Sequence, residues 1–344
     1  MDRSPIARSG GYTIIEVMVA ITIGLIILAA LVSAFAGNSR QRHAIERANQ
    51  QTEDGGYALQ LIADDLRNAG YLATLNPGAF SAPNPWITVP AALPDPCATD
   101  VATLASGLLL PVQGYDNGAN APACLTDLRA GTDILVVRRA STCAVGTAGC
   151  DPQVAGDVYL QASGCATEFN AGTYFVLDSN TASFTLHQKD CVTAAPLYQY
   201  RTHIYFVAND DQAGDGIPTL KRAELGAAGV AVNIVPLVEG VDNLQIEYGV
   251  DTNTPTTGSP TGYTTNPNSY NGCASAPCAV SNWGNTVAAK IYVLTRDLTP
   301  TQGYTDSKAY TLGLTAVPAF GDRFRRHVYS AVARLNNPAS RNTP

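Results

Sequence analysis

Residues 17–36, "VMVAITIGLIILAALVSAFA", are 20 consecutive uncharged and mostly apolar side chains near the N-terminus. A helix of that length spans the hydrocarbon core of a bilayer. Arg3 and Arg8 precede it, so the positive-inside rule keeps the extreme N-terminus in the cytoplasm and sends the remainder outward. One carboxylate, Glu16, stands at the head of the run. Deep in lipid an acidic side chain costs about 2.5 kcal/mol or more, so its presence needs a reason.

Three readings of this segment compete. "AFA" at residues 34–36 offers an A-x-A-like site for cleavage of a secretory signal, which would release a secreted binding domain. Against this, the apolar stretch exceeds the usual 7–15 residues of a signal, and an acidic residue there is unusual. A plain signal anchor tolerates Glu16 only near the cytoplasmic end, where the penalty falls. The third reading uses every residue: "GGYTIIEVMVA" at 10–20 resembles the type IV prepilin signal. That signal has a short basic leader ending in Gly, an aromatic first mature residue followed by Thr, and Glu as the fifth mature residue. The resemblance implies that prepilin peptidase cuts between Gly11 and Tyr12, removes residues 1–11 and methylates the new amine at Tyr12.

That spacing also has a physical meaning. A new α-amino group at Tyr12 is a cation, and a carboxylate four residues along a helix lies about one turn away. Neither charge can go unpaired in an apolar environment without cost. In a bundle of such helices, Glu16 of one subunit can meet the Tyr12 amine of its neighbour and set the axial register.

Beyond the apolar run the chain is polar and rich in helix formers, with no Pro from 37 to 72, which predicts that the helix continues. Leu59, Ile62, Leu66 and Ala69 recur at helical spacing and predict an apolar stripe against a globular head. Gly55-Gly56 is expected to weaken or kink this helix, and Gly70 to stop it. From about residue 73, short β-rich runs alternate with turn clusters. Strands are predicted at 107–113, 133–140, 173–178, 183–188, 198–208, 231–238, 244–250 and 290–297. The Thr-, Pro-, Gly- and Asn-rich residues 251–287 read as a long exposed loop.

Further segments resemble PilW-type minor pilins: "LIADDLRNAGY" at 61–71, "VANDDQAGDGIPTLKR" at 207–222, "LVEGVDNLQIEYGVDTN" at 237–253 and "RFRRHVYSAVARLNNP" at 323–338. Residues 90–195 match nothing placed by this resemblance. It implies an α+β, type IV pilin-like fold, with a long N-terminal helix, membrane-spanning in its first half, packed on an antiparallel β-sheet head. The expected organisation is a cleaved leader (1–11), a transmembrane and assembly helix (12–36), its exposed continuation (37–72) and a β-rich disulfide-bonded head (73–344).

What the resemblance implies is a non-enzymatic protein acting through subunit contacts. The role is priming or joining pilus assembly, contributing to adhesion, twitching motility or DNA uptake. Bulk pilins are generally much smaller, which favours a tip or priming position. Implied partners are other minor pilins, the major pilin, prepilin peptidase, the inner membrane and a tip adhesin. The location is the inner membrane, single-pass with a periplasmic head, and then the pilus at the cell surface. A minor pseudopilin of the type II secretion system shares the same plan.

Eight cysteines, all beyond the apolar run, favour an oxidising compartment. Spacing suggests neighbours closing loops, Cys143 with Cys150 and Cys273 with Cys278, and further Cys97 with Cys124 and Cys165 with Cys191. Eight cysteines allow 105 connectivities, so the pairing stays open. Paired C-x2-C spacing is absent, and with only four histidines no metal site or cofactor is expected. The acidic turn "NDDQAGDG" at 209–216 fails the EF-hand pattern, because counting from Asp211 puts Ala213 at position 3 where a ligand is required, and it reads as a solvated hairpin turn. A net charge of −7 argues against nucleic acid as a direct ligand. The basic "RFRRH" at 323–327 is expected to pair with carboxylates of the head or with the helix. No G-x-S-x-G, H-E-x-x-H or phosphate-binding loop is present.

Overall fold

A computed structural model describes residues 11–224 and 232–343. The leader, with Arg3 and Arg8, lies outside the described residues apart from Gly11. The chain falls into two compact units, Met1–Gln50 and Gln51–Pro344, considered separately below.

Helix α1 runs unbroken from Ile14 to Asn68. The Gly55-Gly56 pair does not break it. Gly55 is buried where the Tyr329 ring crosses the helix, so closely that an added Cβ would come within 2.3 Å of it. Gly55 therefore serves close packing, where tertiary contact outweighs the intrinsic cost of glycine, whereas Gly56 is exposed and packs against nothing. The helix ends as expected: Gly70 adopts φ +70° and donates its N–H to the Arg138 carbonyl at 2.8 Å. That left-handed conformation favours glycine.

Beyond α1 lie short elements β1 (Gly78–Ala79), β2 (Ala82–Pro83) and α2 (Val101–Ser106). The strands β3 (Val112–Tyr115), β4 (Ile134–Ala140), β5 (Tyr159–Ala162) and β6 (Phe175–Asp178) follow. Helix α3 (Ala166–Asn170) lies between β5 and β6. Strands β7 (Leu197–Ala208), β8 (Thr219–Glu224) and β9 (Asn233–Glu239) complete a seven-stranded sheet. A second, four-stranded sheet has the order β11-β10-β12-β15. Its strands are β10 (Val241–Val250), β11 (Gly262–Thr264), β12 (Thr286–Arg296) and β15 (Arg326–Arg334). Helix α4 (Ala276–Gly284), the hairpin β13 (Tyr310–Leu312) and β14 (Thr315–Val317), and α5 (Asn336–Arg341) fill the connections. The strands of both sheets pair antiparallel.

The predicted stripe on α1 is the centre of the core. Ile62, Leu66 and Ala69 are fully buried and pack in one cluster with Leu135, Val137, Tyr205 and Val207 of the larger sheet. Leu244, Ile246, Ile291 and Ala333 of the smaller sheet join the same cluster. At roughly 1.5–3 kcal/mol per fully buried large aliphatic side chain, this stripe dominates the docking of residues 51–68.

Three expectations need correction. Residues 107–111 are turn rather than strand, and pairing begins only at Val112. Leu108, Leu109 and Leu110 are buried there all the same, and Pro111 has no N–H to give a ladder. Residues 183–188 form no strand. His187 makes one isolated bridge to Ala194, and one bridge is no ladder. Residues 251–287 are not a simple exposed loop: they hold β11 and α4, and α4 buries Val280 and Trp283 in the main core. Ser275 at the N-cap, Pro277 in the first turn and the i, i+3 spacing of Val280 and Trp283 are helix signals. The polar composition of the segment masked them.

Candidate functional site: the N-terminal segment and the buried charges of the head

Every large apolar side chain from Ile14 to Val32 is exposed, among them Ile14 at 81% and Ile26 at 70%. A helix that is apolar all round is stable only where another apolar phase covers it. By length and composition it can cross a membrane, with a mean hydropathy of 2.8 over its most apolar window.

At its start, Thr13 and Glu16 satisfy one another. The Thr13 N–H donates to Glu16 Oε2 at 2.9 Å, as does the Thr13 hydroxyl, also at 2.9 Å. The Glu16 N–H in turn donates to Thr13 Oγ1 at 3.3 Å. This is a capping box, which closes orphan donors of the first turn reciprocally. The T-x-x-E spacing is the sequence signal of this box. Within one chain the carboxylate is thus already oriented, with Oε1 unbonded among the described residues. Tyr12 is 88% exposed. A Cβ on Gly11 would meet nothing within 4 Å, so packing within the chain does not demand glycine there.

The head uses its charges differently. Asp65 on α1, 5% exposed, accepts from Arg139 Nε at 2.6 Å, from the Tyr205 hydroxyl at 2.9 Å, and pairs with His203 Nδ1 at 2.6 Å. Burial pushes its carboxyl up, but His203 and Arg139 outweigh burial and hold it well below its ordinary value. Arg326 on β15 has a fully buried side chain. It meets Asp242 at 2.5 Å, Asp306 at 2.8 Å and Asp322 at 2.6 Å, with Arg129 pairing to Asp242 from the other side. Of the basic cluster at 323–327, then, only Arg326 is buried among carboxylates.

Disulfides join Cys97 to Cys124, Cys143 to Cys150, Cys165 to Cys191 and Cys273 to Cys278. In the turn at 209–216, Asp210 and Asp215 accept backbone N–H groups of their own loop, the geometry of a self-closed hairpin turn. No group of three His, Cys, Asp or Glu able to hold a metal occurs among the described residues. Glu168 stands between Ser163 (2.5 Å) and His187 (2.7 Å). The carboxylate, not the imidazole, meets the hydroxyl, so this is not the serine–histidine order that activates a nucleophile.

Two family profiles match the chain. "Prokaryotic N-terminal methylation motif" covers residues 6–32, and "Type IV Pilus-assembly protein W" covers 204–337. Together the two matches support a PilW-type type IV pilin. The profile match begins in β7 and runs through β15 into α5, so it takes in the whole four-stranded sheet and Arg326 with its three carboxylates, Asp242, Asp306 and Asp322. Three of the four disulfides fall outside it. Among solved structures, the chain is similar to the type IV-like pilin TTHA1219 from Thermus thermophilus, at 11% identity over 85% of this chain and 96% of that one. The TM-score is 0.33, too low to bear weight. No curated protein matches. As a pilin of this family the protein is a pilus-assembly component, and its N-terminus fits a pilin first anchored in the membrane and then in the pilus.

Proposed function

We propose that this PilW-type pilin is a minor subunit made as a precursor, cut between Gly11 and Tyr12 and methylated at Tyr12. Residues 12–36 hold it in the inner membrane, residues 37–72 carry the helix outward, and the head from residue 73 is periplasmic until the subunit enters the fibre. It primes or joins pilus assembly through contacts with other minor pilins, the major pilin and a tip adhesin. Adhesion, twitching motility or DNA uptake follows from the fibre rather than from chemistry in the head.

The observation that carries this reading is the Thr13–Glu16 box at the start of an apolar helix with no covered face. After cleavage the Thr13 N–H and hydroxyl remain to hold Oε2, leaving Oε1 for the Tyr12 amine of a neighbouring subunit. Removing one partner of a buried charge pair costs about 3–5 kcal/mol. Glu16→Ala should therefore be processed and membrane-bound yet missing from sheared fibres. Mass spectrometry of the mature protein should find N-methyl-Tyr12. A chain beginning at Gly37, or normal fibre incorporation of Glu16→Ala, would refute the respective step.

A further inference from the structure

β15 is an outer strand of the four-stranded sheet. Its ladder with β12 is closed at each end by bonds from Asp297 N–H to the Arg325 carbonyl and from Leu335 N–H to the Val287 carbonyl. Antiparallel bonding alternates, so His327, Tyr329, Ala331 and Ala333 bond to β12. The N–H and C=O groups of Val328, Ser330, Val332 and Arg334 then point away from it. Among the described residues none of those four makes a backbone bond elsewhere. Val332 is 63% exposed.

Natural sheets blunt such edges with proline, bulges, charge or short length. The outer strand β9 of the other sheet does so: it contains Pro236, and its pairing with β8 carries a register shift. β15 is nine residues long, without proline and in unbroken register. We infer that the β15 edge takes an added strand from another pilus component, an extended segment bearing acidic side chains. This rests on the pilin reading above and names a contact within it.

Charge selects the partner. Arg323, Arg325 and Arg334 are exposed, and none of them makes an ion pair among the described residues. The strand itself contains no carboxylate. A second copy would bring the same cations against one another, and like charges facing across strands destabilise pairing. An acidic strand gains backbone bonds from the edge and charge pairing at both ends.

The test is in-cell photocrosslinking of the full chain, with p-benzoylphenylalanine at Ser330 and, in a parallel strain, at Ile21 in the N-terminal helix. The Ser330 reporter should give an adduct whose crosslinked peptide is an acidic segment of a different pilus protein. Val332→Pro removes an outward N–H without touching the β12 ladder, and should cut that adduct about tenfold. If Val332→Pro does not fold, Arg334→Glu with the same reporter should cut it roughly two- to fivefold. An adduct to a second copy, an adduct indifferent to these changes, or no adduct at Ser330 while Ile21 crosslinks normally would overturn the edge contact alone. Loss of crosslinks at both positions would overturn the pilin reading with it.

Discussion

Asp65 is the most exacting test of how the head is held, because one carboxylate on α1 answers three donors from the larger sheet. Asp65→Ala leaves Arg139, His203 and the Tyr205 hydroxyl without it. Removing one member of a buried charged group costs about 3–5 kcal/mol, since the others stay desolvated and unpaired. Arg139, 14% exposed, can recover some water, which places the expected loss in the lower half of that range. Thermal unfolding of the full chain in detergent micelles should show a fall of roughly 6–15 °C in midpoint. Asp65→Asn, which keeps one acceptor oxygen, should lose about half as much. The pH dependence has a definite sign. The folded carboxyl lies below its ordinary value, so its contribution is complete above about pH 4 and is lost as the pH falls further. Asp65→Ala should remove that share of the acid sensitivity. A midpoint shift under about 3 °C, or an unchanged acid limb, would show that α1 is held by apolar packing alone.

Other perturbations separate the remaining contacts. Arg326→Met strands Asp306 and Asp322 without their cation and should cost at least about 3 kcal/mol in denaturant unfolding; Arg326→Lys should restore little, because one ammonium cannot fork to three carboxylates. Gly55→Ala puts a methyl group against the Tyr329 ring, so overpacking of about 1–3 kcal/mol should exceed the helix-propensity gain. Gly56→Ala meets nothing within 4 Å and should stabilise by about 0.5–1 kcal/mol, so calorimetry should find opposite signs for two adjacent glycines. Burial pushes the Asp133 carboxyl up to about 7, against bonds from the Asn117 and Ile246 N–H groups. The unfolded chain releases that proton near pH 4 and the folded chain near pH 7, so stability falls as pH rises between them. Melting curves of Asp133→Asn across that interval should show a shallower slope.

Much of the secondary structure was legible in the sequence where a pattern could be completed by near neighbours. The apolar stripe of α1 and strands such as β4, β7 and β12 announce themselves by period and by flanking turns. The packing role of Gly55 is not legible locally because it depends on Tyr329, 274 positions away in the chain. Residues 183–188 carry a strand-like pattern, yet a strand needs a partner along its length, and that region finds only the bridge to Ala194. Val280 and Trp283 lay inside a polar stretch whose average composition outweighed two well-spaced core residues.

The sequence by itself determined the N-terminal pattern: an apolar helix, a Gly-Tyr bond before it and a carboxylate four residues past Tyr12, all readable because every participant lies within one or two helical turns. Only the tertiary structure decided which charges are buried. Asp65 finds His203 at a separation of 138 residues and Arg326 finds Asp242 at 84. Nothing local distinguishes those side chains from the solvated Asp and Arg beside them. A charge becomes structural only when folding removes its water and supplies a partner in the same place.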